Sequence, residues 1–199
     1  IIDPGVNMFR RALEQHPEAS LVLFGTETTI TEDTHRKALI AGGVAENRIR
    51  AKACPELAAY IENDWQSDET RFVIASYVDE ALAAVRDPKP PLYAGLVCTH
   101  YGYAQELWEA AFRENGVRLL ATLNPNTALV DLLLSAQTAG RFTNTEIDAR
   151  VISMVEIGTA KQKRLGAWLE RASPEVAAAL AHYQLRPDLF EWRSVVSAF

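Results

Sequence analysis

A thiol, a hydroxyl and an imidazole stand in succession at Cys98-Thr99-His100, directly after the apolar run Leu92-Tyr93-Ala94-Gly95-Leu96-Val97. Apolar runs of this length bounded by turn signals read as buried strands, and Pro90-Pro91 marks the entry. In an open parallel sheet, ligands sit beyond the carboxyl ends of strands. The amides there would open the following helix, where anions bind well. A thiol beside an imidazole can become a thiolate near neutral pH, and a thiolate can exchange a proton at a carbon next to a carboxylate. The competing reading is plain: a lone cysteine closing a strand is most often a small buried apolar residue.

A second hydroxyl-rich strand end follows Leu21-Val22-Leu23-Phe24, at Gly25-Thr26-Glu27-Thr28-Thr29. If the two strands are neighbours, both turns face one crevice. The hydroxyls of Thr26, Thr29 and Thr99 could then hold a carboxylate substrate, although threonines at strand ends serve as readily as helix caps. Glu62 could set the charge of His100 if it comes close, or stand as a solvated charge on its helix. Cys54, before Pro55, reads as structural. His16, His35 and His182 read as surface residues.

The elements that must position these groups alternate between apolar runs and helical patterns. Ile1-Ile2 looks like the tail of a strand and Pro4-Gly5 like a turn. Helices are expected over 6–15, 31–41, 54–65 and 67–85, the last after a Ser67-Asp68-Glu69-Thr70 cap. Asp87 to Pro91 reads as a rigid connector. Further helices are expected over 102–115, 127–139, 159–169 and 174–183. Strands are expected over 21–24, 48–53, 92–97, 117–122 and 151–156, with a polar loop over 140–148. This alternation implies an α/β fold, a parallel sheet flanked by helices. Gly25-Thr26 lacks both the Walker lysine and the dinucleotide spacing.

The chain has 199 residues, 48% hydrophobic and 23% charged, with a net charge of −6 and a pI near 5.3. Nucleic acid is not expected as a partner, since a phosphate footprint needs a basic face. No apolar run approaches a membrane span and no signal peptide is evident, so no membrane association is expected. Two cysteines fit neither a disulfide framework nor a metal site. A reducing cytoplasm is the simplest setting.

Leu96-Val97-Cys98-Thr99-His100-Tyr101 resembles the second cysteine motif of glutamate racemases, in the cofactor-independent aspartate/glutamate racemase superfamily. Leu23 to Thr29 is similar to that family's Gly-Thr-x-x-Thr turn. Ala53-Cys54-Pro55 with Ile61-Glu62 resembles its Ala-Cys-Pro segment and downstream glutamate. Ile2-Asp3-Pro4-Gly5 and Leu123-Asn124-Pro125 resemble two further turns, the latter with Asn where Asp is common. The resemblance implies two similar α/β lobes with two opposed acid/base cysteines. Cys98 would be one of them, with Thr99 and His100 contacting or activating substrate and Glu62 supporting His100. One thiolate removes the α-proton and the other thiol returns one on the opposite face, without metal, pyridoxal phosphate or nucleotide.

The family's Asp-Ser-Gly turn and its first-cysteine Cys-Asn-Thr motif do not occur in this sequence. The chain, which opens on Ile, therefore resembles the family from mid-protein onward. Residues 1–122 would form the lobe carrying Cys-Thr-His, and residues 123–199 the return into the other lobe. The first-cysteine lobe would be missing, supplied by further chain, replaced by different packing, or compensated by a homodimer. Three functions are expected in falling order. The first is racemisation of L-glutamate to D-glutamate for peptidoglycan. The second is single-cysteine decarboxylation or isomerisation of a small dicarboxylic acid, and the third an inactive racemase-like binding module.

Overall fold

The computed structural model describes residues 2–85, 90–134, 142–144, 146 and 148–190. The chain forms two compact units, 1–139 and 140–199. The first is a four-stranded, all-parallel sheet with helices on both faces. Its strands are β1 (Ser20–Gly25), β2 (Ile49–Ala53), β3 (Leu92–Leu96) and β4 (Leu119–Leu123), in the spatial order β2-β1-β3-β4. The α/β architecture and parallel sheet expected from the sequence are therefore present.

Strand β1 explains why both faces are covered. Its residues from Leu21 onward are all buried, so side chains alternate into two separate cores rather than between core and water. Val22 and Phe24 join Leu57, Ile61, Ile74, Val78, Trp108 and Phe112 on one face. Those residues come from helices α4 (Leu57–Asp64), α5 (Asp68–Ala83) and α6 (Gln105–Glu114). Leu21 and Leu23 join Phe9, Leu13 and Leu39 on the other face, from helices α1 (Ile2–Gln15) and α3 (Thr34–Ala41). Phe24 stacks at 4.6 Å on Trp108 and meets Phe112 edge-on, so the aromatic payload of the first core gathers at the middle of the sheet.

Several boundaries differ from the sequence expectation. Ile2 to Gly5 is neither strand tail nor turn but the first turn of α1, where a proline has no helical bond to lose. Gly5 is needed there: a Cβ would sit 3.0 Å from Pro125, at the start of helix α7 (Pro125–Leu133). The single helix expected over 31–41 is two helices. The first, α2, runs Glu27–Glu32 and ends on Asp33 in the left-handed region (φ 56°), after which α3 begins. Cys54-Pro55-Glu56 precedes α4 rather than belonging to it, with Glu56 also left-handed (φ 58°). The helix expected from Gly102 opens as a 3-10 turn, Tyr101–Ala104, before α6. Ser67 caps α5 as expected, accepting from the Thr70 amide at 3.1 Å. The end of the helix expected to reach Ala139 and residues 140, 141, 145 and 147 of the expected loop fall outside the described residues, as do residues 86–89 of the connector.

The second unit holds helices α8 (Thr159–Ala172) and α9 (Pro174–Ala181), packed on each other. Its strand is shorter than expected: only Ile152–Ser153 (β5) pairs, in parallel, with β6 (Gln184–Leu185). Ser173 closes one helix and caps the next, accepting from the Val176 amide at 3.4 Å. Among the described residues no helix is long and apolar enough to cross a membrane.

Candidate active site

The order β2-β1-β3-β4 reverses direction at β1: the chain leaves it to build β2 on one side, then returns to place β3 on the other. That reversal leaves a crevice outside the carboxyl ends of β1 and β3, the place where ligands bind in such sheets. Two residues hold the crevice open at defined width. Gly25 closes β1, and a Cβ there would meet Val97 at 2.8 Å and Ile30 at 3.0 Å. The Val97 amide donates to the Phe24 carbonyl at 2.9 Å, which carries the β1–β3 pairing one residue past the end of β3.

A cleft of about 230 Å³ lies at this end of the sheet, and Thr29, Glu32, His35, Cys98, Thr99 and Asn126 supply its polar groups. Its remaining walls are mostly apolar, including Ile2, Leu96, Val97 and Pro125. The structure thus brings Cys98, Thr99 and Thr29 together, as expected if the two strands were neighbours. Asn126 anchors the motif, its side-chain amide donating to the Thr99 carbonyl at 3.1 Å. Asn126 itself is set by Asn124, whose carboxamide oxygen accepts from the Asn126 amide at 3.0 Å and caps α7. Gly102 accepts the Asn124 side chain so closely that no Cβ would fit.

Cys98 is half-buried, and its sulfur lies 3.9 Å from His100 Nδ1. Burial pushes the thiol above its ordinary pKa, while the backbone amides of His100 and Tyr101 pull it down by less. Desolvation thus outweighs the two backbone amides, which shifts the thiol away from the thiolate form that the sequence suggested. Thr99 is exposed and His100 partly so.

Thr26 takes the helix-capping part that the sequence left open beside substrate binding. Its hydroxyl caps α2, accepting from the Thr29 amide at 3.3 Å, and lies 2.9 Å from the Thr29 hydroxyl. The helix end thus uses the hydroxyl that a substrate carboxylate would need, and Thr29 is the member of the pair that faces the cleft. Glu62 lies exposed on α4, away from the cleft walls. Cys54 is 1% exposed, and burial pushes its thiol up to about 12, so it is structural in geometry as expected. The Tyr101 hydroxyl donates to the Cys54 carbonyl at 3.2 Å, linking the end of β2 to the turn after β3.

His35 is the reverse of its expectation. It is buried at 8% exposure, edge-on to Phe9 with ring centroids 6.4 Å apart, and it lines the cleft. A sequence signal existed: His35 lies four residues before Leu39, on the same helix face as that fully buried leucine. Glu32 and Asn126 had no comparable signal. Among the described residues, no group of three or more His, Cys, Asp or Glu side chains stands close enough to hold a metal ion.

No protein-family model matches the chain, and no curated protein matches it in sequence. Solved structures do match in fold. A glutamate racemase isoform from Bacillus anthracis aligns with a TM-score of 0.63 at 19% identity, over 84% of this chain and 59% of that one. Glutamate racemase from Campylobacter jejuni gives 0.62 at 18%, over 85% and 62%. The Thermus thermophilus enzyme, solved with β-chloro-D-alanine, gives 0.56 at 19%, over 93% and 60%. The chain spans about three fifths of the length of these racemases. At this identity the likeness shows the fold, which is that of glutamate racemases.

Proposed function

We propose that this chain carries one half of a cysteine acid/base site, acting on the α-carbon of a small acidic amino acid as in a glutamate racemase. The observation that carries this reading is the position of Cys98: at the carboxyl end of β3, beside the reversal point of the sheet, in a cleft with threonine and asparagine side chains. The fold shared with glutamate racemases supports it. Cys98 would work with Thr99 and His100, with Thr29 and Thr26 shaping the opposite wall and Glu62 acting at longer range on His100. Formation of D-glutamate for peptidoglycan is the physiological role that such an activity would serve, in the cytoplasm.

The chemistry is proton bookkeeping at one carbon. One base removes the α-proton, leaving a carbanion whose charge spreads into the adjacent carboxylate. One acid then delivers a proton to the opposite face and inverts the centre, so no proton is gained or lost overall. Burial favours the protonated form of Cys98, which suits it to deliver a proton and, once that proton has gone, to act as the base. The opposed group would come from a second copy or from an associated lobe of the first-cysteine type. No water-activating metal is required by this scheme.

A specific observation favours a second reading. The other cysteine of this chain, Cys54, is buried with its thiol pushed up to about 12 and does not line the cleft. If Cys98 works alone, it protonates one face only, which suits decarboxylation or isomerisation of a dicarboxylic acid. Exchange at the α-carbon of L-glutamate and L-aspartate in deuterated water, followed with optical activity, separates the two. Deuterium uptake with loss of optical activity supports racemisation, and uptake with retained configuration supports one-face chemistry. Absence of uptake with either acid would remove the racemase reading and leave a binding module.

A further inference from the structure

Two ionisable groups of the cleft have no part in the scheme above. The His35 ring is more than nine-tenths buried, lines the cleft, and forms no hydrogen bond to another described residue. Burial disfavours its charged form, and the neutral ring offers one N–H donor and one acceptor. Its ring nitrogens are not among the polar atoms sealed from solvent, so they are open to the cleft that the ring lines, and a ligand polar group there would take the place of water. Glu32 lines the same cleft, and its carboxylate likewise forms no hydrogen bond to another described residue.

The left-handed Asp33 between them is what puts both in one place. It breaks the helix so that Glu32 ends α2 and His35 falls in the first turn of α3. Arg36 is paired with two carboxylates, while Lys37 reaches only a backbone carbonyl. Asp33 receives Arg36 Nε at 3.0 Å, Arg36 also reaches Glu46 at 2.7 Å, and Lys37 Nζ donates to the Glu32 carbonyl at 3.0 Å. His35 and the solvent-exposed Glu32 thus line the same cleft as Cys98.

We propose that Glu32 and His35 form the head-group subsite of the cleft, His35 donating a hydrogen bond to a carboxylate of a small amino acid and Glu32 receiving its ammonium. This deepens the proposed reading and rests on it for the identity of the ligand, since it assigns the cleft to a zwitterionic amino acid rather than a plain dicarboxylate. Thr29 and Thr99 supply hydroxyls around the same ligand, and Cys98 faces the carbon between its two charged groups.

The test uses the full chain and two probes, L-glutamate and glutarate, which share both carboxylates and differ in the ammonium. The His35 Cε1–H signal is followed by NMR while each is added. The expected result is a saturable shift of that signal with both probes, with L-glutamate bound about 10-fold more tightly, or about 1.4 kcal/mol. Glu32→Gln should bring the two probes to similar affinity, and His35→Phe should weaken both by about 10-fold. A His35 signal that stays fixed while other cleft signals move, or while nothing binds, overturns the assignment. Because that signal is read in the unaltered chain, the result stands even if His35→Phe does not fold. An unchanged preference in Glu32→Gln overturns the ammonium half. Failure of the two ideas is distinguishable: α-deuterium exchange with a fixed His35 signal leaves the racemase reading and removes the subsite. A His35 shift without exchange does the opposite.

Discussion

Cys98 and Cys54 carry the same functional group in opposite settings, and their reactivity should differ accordingly. Both thiols are raised by burial, Cys54 to about 12 and Cys98 by less, because Cys98 is only half-buried and faces the cleft. Iodoacetamide should therefore modify Cys98 first, slowly at pH 7 and faster as the pH rises, while Cys54 is protected in the folded chain. Mass spectrometry of digested protein reads the order, and modification of Cys54 first would contradict it. In the exchange assay Cys98→Ser should lower the rate by at least about 100-fold with the fold intact by circular dichroism. His35 makes the other residue-scale prediction. Burial lowers its folded pKa, so below its unfolded value near 6.5 the unfolded chain takes up a proton that the folded chain resists. Stability contributed by the neutral ring is thus present above pH 6.5 and declines as the pH falls below it. The urea midpoint should drop between pH 7.5 and 5.5, and His35→Gln should reduce that drop relative to the unaltered chain.

At the scale of elements, the site depends on how closely the ends of β1, β3 and β4 approach. Gly25 is the tightest point, with Val97 and Ile30 at the edge of its missing Cβ. Gly25→Ala should push β1 and the turn after β3 apart, at about 1–3 kcal/mol of overpacking. Thermal unfolding measures the cost, and the exchange rate should fall with it. Asn126 links the start of α7 to the Cys-Thr-His turn through a single 3.1 Å bond to the Thr99 carbonyl. Asn126→Ala should cost about 1 kcal/mol in stability and weaken substrate binding, since the turn loses its anchor while the thiol remains. A variant with unchanged affinity would show that the turn is held by its own backbone. Gly102→Ala should be the harsher change, because the Asn124 side chain already occupies the space a Cβ would need.

At the scale of the whole molecule, the unit 1–139 contains the cleft with Cys98, and the racemases it resembles are longer by a large margin. The proposed second acid therefore makes a prediction about concentration. If a second copy supplies it, racemisation should rise more steeply than linearly with protein concentration, and sedimentation should show a dimer over the same range. One-face chemistry should be linear in protein throughout. A linear dependence with full racemisation would place both acids in one chain and contradict the two-copy scheme.

Much of this architecture is legible in the sequence. Unbroken apolar runs at Leu21 to Phe24 and Leu92 to Leu96 can be buried only as central strands, since both faces of each run are apolar. The alternation with helical patterns then leaves little but a parallel sheet. The strand-end position of Cys98-Thr99-His100 is local in the same sense. What neighbours supply is not local. That β1 lies beside β3, and so which turns share a crevice, depends on sheet order, which no single segment encodes. That Glu32 ends one helix and His35 opens the next depends on the left-handed break at Asp33, where backbone conformation overrides the longer helical pattern. That the Cys98 thiol is raised and His35 is buried depends on packing by residues distant in sequence, Phe9 against His35 among them. Residue type specifies which chemistry is available, and tertiary packing sets the solvent exposure and partners that determine which form of each group is present.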